Sequence, residues 1–172
     1  MKVVLAEKPS VAKDIAAVVG ATTKRDGYFE GNDYAVTYAF GHLVTMAEPE
    51  EMNAAWGKPW RLKQLPMIPI EWKYRVVEKS AHQFNVIKKL FLDSATTSII
   101  CATDAGREGE HIFRLIYKLT ECKKPVERLW ISSLTAEAIK DGLGKLKSSS
   151  AFDSLADAAA ARGGLLPAGP SV

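Results

Sequence analysis

Short apolar runs and helical apolar stripes follow one another along the chain. The run from Val3 to Ala6 is too short to span a membrane and predicts a buried strand. The apolar residues that follow recur at helical spacing, which predicts a helix capped by Ser10 and ended by Gly20. These residues are Val11, Ile15, Val18 and Val19.

The same two patterns continue to about residue 147. Apolar alternation on either side of Gly31, Asn32 and Asp33 predicts a β-hairpin over residues 28–40. Further strands are predicted over 72–77, 97–103 and 126–131, and further helices begin at about Ser80 (with capping-box spacing), Arg107 and Thr135. This alternation predicts an α/β, Rossmann-like fold: a mostly parallel sheet with helices on both faces.

Two stretches lack a regular period. Residues 46–70 are rich in proline and predict an irregular excursion over the surface. Three serines at 148–150 resemble a linker, and residues 163–172 are too rich in glycine and proline for a regular element. We therefore predict one domain over 1–147, followed by a linker and an irregular carboxyl-terminal tail over 148–172.

Composition sets limits on compartment and partners. The chain has 172 residues, 47% of them hydrophobic, which suffices for one sizeable core. Its net charge of +3 permits a nucleic-acid partner without requiring one. Cys101 and Cys122 lack metal-motif spacing and are expected to be core thiols in a reducing compartment. Because Glu7 and Lys8 interrupt the first apolar run, no signal peptide is predicted, and we expect a cytoplasmic protein without a membrane partner.

Acidic residues crowd the turn that follows the strand predicted at 97–103. Asp104, Glu108 and Glu110 lie there with Arg107, at the edge of the sheet where α/β proteins bind ligands. Carboxylates this close repel one another unless a cation lies among them, and oxygen ligands favour Mg²⁺ or Mn²⁺. Taken alone, Glu108 and Glu110 could instead be partners of the helix dipole.

Glu7 ends the first predicted strand and Asp104 follows another. If those strands are parallel neighbours, the two carboxylates converge, with Lys8 beside them. Neighbouring acids raise the pKa of a glutamate, so Glu7 could act as a general acid beside a bound metal ion. The helix that begins near Arg107 adds a field favouring anions.

Four segments in order carry a resemblance to a known family. They are AEKPS (6–10), FGHL (40–43), TDAGREGE (103–110) and LWISSLT (129–135). From residue 1 to about 161 the chain resembles the amino-terminal Toprim domain of bacterial topoisomerases III, which are type IA enzymes. The resemblance implies the Toprim fold and a Mg²⁺-dependent isomerase that cuts one DNA strand, passes another strand through the gap and reseals it.

The resemblance also implies roles for individual residues. Glu7 matches the catalytic glutamate that exchanges a proton with the leaving 3′-oxygen, and Lys8 matches the lysine that steadies charge on the phosphate. Asp104 and Glu108 match the outer members of an Asp-x-Asp-x-Glu metal cluster, which Glu7 joins as a third ligand. Gly106 stands where many relatives have the middle aspartate, so water would fill that place.

DNA contacts are expected from four basic residues, and the partner is expected to be single-stranded DNA. His42 and Arg107 match positions near the DNA path of the family, and Lys8 adjoins the phosphate. Arg61 is a candidate because it lies beside Trp60 and Lys63 in the irregular excursion.

The family's nucleophilic tyrosine belongs to a later domain, which the resemblance implies as a further partner. We therefore expect this chain to be a fragment that cannot relax supercoiled DNA by itself. Two other interpretations remain open. A different Toprim enzyme, such as a primase or small nuclease, would cut DNA without that tyrosine. A non-catalytic phosphate- or nucleic-acid-binding module would bind without metal and would tolerate Glu7→Ala.

Overall fold

A computed structural model describes residues 1–40 and 43–154. The strands are β1 (Lys2–Ala6), β2 (Thr23–Arg25), β3 (Tyr28–Gly31), β4 (Tyr34–Tyr38), β5 (Val44–Met46), β6 (Tyr74–Val76), β7 (Ser98–Ala102), β8 (Val126–Arg128) and β9 (Lys147–Ser148). The helices are α1 (Pro9–Val19), α2 (Pro49–Met52), α3 (Ala81–Leu92), α4 (Arg107–Thr120) and α5 (Ala136–Leu143). Short 3-10 turns cover Ala54–Trp56, Leu62–Gln64, Glu78–Ser80 and Ser149–Phe152.

Seven strands form the main sheet, in the order β2-β3-β4-β1-β7-β8-β9. The four central strands are parallel, since β1 pairs in parallel with β4 and β7, and β7 pairs in parallel with β8. The outer strands β3, β2 and β9 pair antiparallel with their neighbours. The predicted α/β fold with a mostly parallel sheet is confirmed, and β1 and β7 are adjacent as the site hypothesis requires.

Helices cover both faces of the sheet, as predicted. On one face, α3 and α4 pack Phe91 and Phe113 against Leu5 of β1. On the other face, α1 and α5 pack Ile15 and Ile139 against the opposite side of the central strands. Each face thus has its own apolar core, which holds the central strands rigidly between two layers.

Two predicted helix caps differ in the structure. Helix α1 begins at Pro9 with Lys8 as its N-cap, because proline suits the first helical position and lacks the amide that a cap would satisfy; Ser10 is therefore inside the helix. Ser80 precedes α3 but makes no capping hydrogen bond. Gln83 points instead to the sheet, where its Nε2 donates to the carbonyl of Tyr38 at 2.7 Å.

The predicted strand at 72–77 does not join the main sheet. Only Tyr74–Val76 is extended, and it pairs antiparallel with β5 in a separate two-stranded sheet. The predicted hairpin is confirmed, with Asn32 and Asp33 both at positive φ in its turn. Between Val44–Met46 and Tyr74–Val76, the chain forms only short helical turns, which agrees with the predicted excursion.

The predicted boundary between residues 147 and 148 falls within β9, which pairs with β8. Beyond it, Asp153 forms an ion pair with Arg114 of α4 at 2.7 Å. The division into a domain and a tail remains a prediction, and residues 155–172 of the tail lie outside the described residues. In the described part of the chain, no helix is both long and apolar enough to cross a bilayer.

Candidate functional site

Glu7 and Asp104 meet at the carboxyl edge of the parallel strands. Ala6, the last residue of β1, lies opposite Ala102, the last residue of β7, so the next residues of both strands emerge side by side. The backbone amide of Asp104 donates a hydrogen bond of 2.7 Å to Oε2 of Glu7. The convergence predicted from the two strand ends is therefore present.

The two acids open onto a cleft of about 450 Å³. Its lining residues are Glu7, Asp104, Gly106, Arg107, Glu108 and Gly109. The last four belong to the turn and first helical turn of α4, whose amino end favours anionic ligands. The cleft therefore combines carboxylates, which attract a cation, with an arginine and a helix terminus, which attract a phosphate.

The Glu7 carboxyl has a perturbed acidity. Partial burial raises its pKa above the usual glutamate value, and the hydrogen bond from the Asp104 amide offsets part of that effect. The charge of the Asp104 carboxylate raises the pKa further, and that of Lys8 lowers it. Burial and the Asp104 charge outweigh the two stabilising contacts, so Glu7 keeps its proton to a higher pH than an exposed glutamate does.

Gly109 lets helix α4 approach the acidic turn closely. A Cβ at position 109 would lie 2.2 Å from the backbone oxygen of Asp104, nearer than real Cβ contacts allow. At Gly106, by contrast, an added Cβ would meet nothing within 4 Å, and the backbone is extended with φ of 178°. Position 109 thus requires glycine for packing, whereas position 106 has room for a side chain facing the cleft.

A fully buried guanidinium lies directly beneath this turn. Arg128 of β8 is 0% exposed and donates from Nη2 to the backbone oxygen of Asp104 at 2.8 Å. Its Nε lies 3.2 Å from Oε2 of Glu110, a carboxylate that is itself buried. The hydroxyl of Thr103 accepts from Arg128 at 3.0 Å and donates to the backbone oxygen of Gly109 at 2.7 Å.

The predicted DNA-contacting residues are only partly gathered at the cleft. Arg107 lines it, and Lys8 adjoins Glu7 as the N-cap of α1. Arg61 is exposed in the excursion and is not among the lining residues. His42 lies outside the described residues.

The donor set suits a cation that retains much of its water. In the described residues, no three His, Cys, Asp or Glu side chains are close enough to hold a metal ion. Glu108 shares the cleft with Glu7 and Asp104 but does not complete a three-carboxylate cage with them. Mg²⁺ is commonly held by one or two carboxylates together with water and substrate phosphate, so two adjacent carboxylates fit it.

Sequence reasoning missed Arg128, and it treated Glu110 either as one of the cation-attracting acids of the turn or as a partner of the helix dipole, not as half of a buried ion pair. An arginine between Val126 and Leu129, inside an otherwise half-buried strand, is a weak signal of a buried ion pair. Its partner, Glu110, lies in the preceding helix α4, so only the fold brings the two side chains together.

Comparison with known proteins agrees with the fold. A family model described as the Toprim domain matches residues 2–134, so the chain belongs to the Toprim family. The chain is 49% identical over 161 residues to a DNA topoisomerase 3 of Shouchella clausii, covering 94% of this chain. It is 50% identical over 159 residues to a DNA topoisomerase 3 of Staphylococcus epidermidis, covering 92%. The resemblance drawn from the four sequence segments is confirmed.

The chain spans 22% of the length of these two relatives. Among solved structures, it is similar to the full-length topoisomerase I of Thermotoga maritima, with a TM-score of 0.54 and 20% identity. That match covers 85% of this chain and 21% of the other, and it supports the Toprim fold.

Proposed function

We propose that this chain is the acid-bearing Toprim part of a Mg²⁺-dependent type IA DNA topoisomerase, an isomerase that changes DNA topology by cutting, passing and resealing single strands. The observation that carries the proposal is the contact between Glu7 and Asp104 at the edge of the parallel strands. It is supported by the Toprim family match over residues 2–134 and by the similarity to relatives that are named DNA topoisomerase 3.

Glu7 is proposed as the general acid and base of strand cleavage and resealing. Because burial and the Asp104 charge raise its pKa, the carboxyl is protonated more often at a given pH than an exposed glutamate is, and it can deliver that proton to the leaving 3′-oxygen. The same group, once ionised, can take the proton back when the strand is resealed. Its hydrogen bond with the Asp104 amide fixes the carboxyl at the mouth of the cleft.

Basic groups at the cleft are proposed to receive the scissile phosphate. Lys8 places a positive charge next to Glu7, and Arg107 presents a guanidinium at the amino end of α4. Glu7 and Asp104 would hold Mg²⁺, or Mn²⁺ in its place, and Glu108 is the third proposed ligand, although the three carboxylates are not gathered closely enough to hold an ion by themselves. Such an ion would neutralise charge on the phosphate.

Single-stranded DNA and the remaining domains of a full-length topoisomerase are the proposed partners. His42 and Arg61 remain proposed DNA contacts away from the cleft. A cytoplasmic location is part of the proposal, because both cysteines are free and buried, as expected in a reducing compartment.

The test is plasmid relaxation by a chimera. The segment of the Staphylococcus epidermidis relative that matches this chain is replaced by the corresponding residues of this chain. We expect the chimera to relax negatively supercoiled plasmid in the presence of Mg²⁺. The substitution Glu7→Gln in the chimera is expected to abolish relaxation. Glu137→Gln is the matched control, because Glu137 is an acid in the first turn of another helix, α5.

Two outcomes would contradict the proposal. One is a folded chimera that leaves the plasmid supercoiled while the parent relative relaxes it. The other is Glu7→Gln relaxing DNA as well as the unaltered chimera. Nicking without resealing by the 172-residue chain alone would favour a nuclease instead, whereas relaxation by it alone would remove the need for a separate tyrosine domain.

A further inference from the structure

The charged pair of Arg128 and Glu110 is buried under the acidic turn, outside the cleft itself. Arg128 is 0% exposed and Glu110 is 1% exposed. Neither residue lines the cleft. Their position, one layer below Asp104, suggests a role exerted through the backbone rather than through contact with substrate.

Most hydrogen bonds from the Arg128 guanidinium go to the strand that leads into the acidic turn. Its Nη1 donates to the backbone oxygen of Cys101 at 3.2 Å and to Oγ1 of Thr103 at 3.0 Å. The sulfur of Cys101 accepts from the same nitrogen at 2.8 Å. Its Nη2 donates to the Asp104 oxygen at 2.8 Å. One rigid guanidinium therefore binds three residues on the path from β7 to the acidic turn, Cys101, Thr103 and Asp104.

Glu110 supplies the opposing charge and links the guanidinium to α4. Its Oε2 lies 3.2 Å from Nε of Arg128, an ion pair without hydrogen-bond geometry, and its Oε1 accepts from Nε of Arg114 at 2.9 Å. Arg114 in turn pairs with Asp153 at 2.7 Å and is about one-third exposed. Strand β8, helix α4 and the Asp104 turn are thus joined through one buried carboxylate.

Burial of this pair is hard to explain by stability alone. Replacing a buried ion pair by apolar residues of similar volume is often neutral or stabilising, because both charges lose their hydration. The guanidinium contacts the Asp104 oxygen, and the Asp104 amide contacts Glu7, so the pair is connected to the site through a single peptide segment.

We propose that Arg128, oriented by Glu110, is a positioning residue: it fixes the backbone of Asp104 so that its amide meets Glu7 and its carboxylate faces the cleft. The catalytic reason for this positioning rests on the proposed function. The geometry itself can be measured without any catalytic assay.

The decisive variant replaces both charges, Arg128→Met with Glu110→Met, in the 172-residue chain. It keeps side-chain volume and leaves no unpaired charge, so we expect it to fold, as judged by circular dichroism and cooperative unfolding. Arg128→Lys is the second variant, since lysine keeps the charge but cannot reach several acceptors from one rigid plane. Arg114→Met is the control, because it removes a contact to Glu110 without touching Asp104.

The first readout is hydrogen exchange of the Asp104 amide, followed by NMR. We expect exchange to accelerate by about tenfold or more in the double variant and in Arg128→Lys, with Arg114→Met near the parent rate. The amide of Ile15, in α1 on the opposite face, reports global stability and serves to normalise the rates.

The second readout is the affinity for Mn²⁺ by calorimetry. Loss of an outer-shell partner commonly weakens metal binding by about 10–100-fold, and we expect the double variant and Arg128→Lys to fall in that range. If the parent binds no Mn²⁺, the metal part of the proposed function fails, while the Asp104 exchange rate still decides the positioning role.

A folded double variant with parental Asp104 exchange would overturn the proposal and leave the pair a purely structural feature. Should the double variant not fold, Arg128→Lys decides: an Asp104 amide protected as in the parent would overturn the proposal equally.

Discussion

Replacing Gly109 by alanine is expected to destabilise the protein and displace Asp104. The added Cβ would lie 2.2 Å from the Asp104 oxygen and 2.9 Å from its nitrogen, both backbone atoms that cannot rotate away. Reaching ordinary contact distance requires a shift of roughly 1 Å, and overpacking of this kind costs about 1–3 kcal/mol. Alanine regains up to about 1 kcal/mol through its helix propensity. The two ranges combine to a net loss of about 0–3 kcal/mol.

Gly106→Ala is the matched control for this prediction. Its Cβ would meet nothing within 4 Å, and its extended backbone accommodates any residue. Because Gly106 is the N-cap of α4, where alanine is less favourable than glycine, we expect a loss of at most about 1 kcal/mol, offset by about 0.4–1 kcal/mol through the unfolded state. Urea unfolding of the two variants beside the parent gives the comparison, and calorimetry with Mn²⁺ reports the displaced Asp104. Equal stability of the two variants would refute the close-contact argument.

Three further predictions follow from the site. Burial and the Asp104 charge raise the pKa of Glu7 in the folded state, so the folded protein holds this proton more tightly than the unfolded chain does. The free energy of unfolding should therefore fall as pH rises above the usual glutamate range. Urea unfolding between pH 4 and 8 should show that Glu7→Gln loses this part of the pH dependence. Gly106→Asp should tighten Mn²⁺ binding measured by calorimetry, because position 106 lines the cleft with room for a third carboxylate; affinity equal to the parent would contradict this. Binding to a single-stranded oligonucleotide, followed by fluorescence anisotropy, should be weak and should fall steeply with added salt, because the net charge is only +3 and the contact is electrostatic; tight binding unaffected by salt would argue against a partial electrostatic site.

Local sequence patterns predicted most helices and turns, because these elements depend on residues that are close together in the sequence. The apolar stripe of α1 and the left-handed Gly20 at its end followed from periodicity and glycine's tolerance of positive φ. The turn at Asn32 and Asp33 followed from residue types that accept the same conformation. The edge strands β2 and β9 were missed because they are two or three residues long and exposed, which leaves no apolar pattern.

Pairing between strands that are distant in the sequence was harder to predict from the sequence. The Trp72 region has strand-like composition, but its alternation does not say which strand it joins, and Tyr74–Val76 pairs with Val44–Met46 outside the main sheet. Ser80 has the spacing of a capping box, yet Gln83 finds better partners in Thr37 and Tyr38 across the fold. Tertiary contacts thus decided both outcomes over local preference.

Only the acidic residues that line the cleft could be predicted from the sequence, not the residues that support them. Glu7 and Asp104 follow apolar strands, and strand adjacency was a reasonable inference that the sheet order confirms. The support from Arg128 was hidden, because it depends on β8 lying next to β7 and on α4 folding back over both. Sequence indicates which acids line an edge more readily than what holds them there.

Glu7 and Asp104 are proposed to form a metal site at the sheet edge. Calorimetric titration of the 172-residue chain with Mg²⁺ and Mn²⁺ decides whether they do. We expect modest binding by the parent, weakened by about tenfold or more in Asp104→Ala and unchanged in Glu137→Ala, whose acid lies in α5. Binding by Asp104→Ala that matches the parent would show that the metal site lies elsewhere or does not exist.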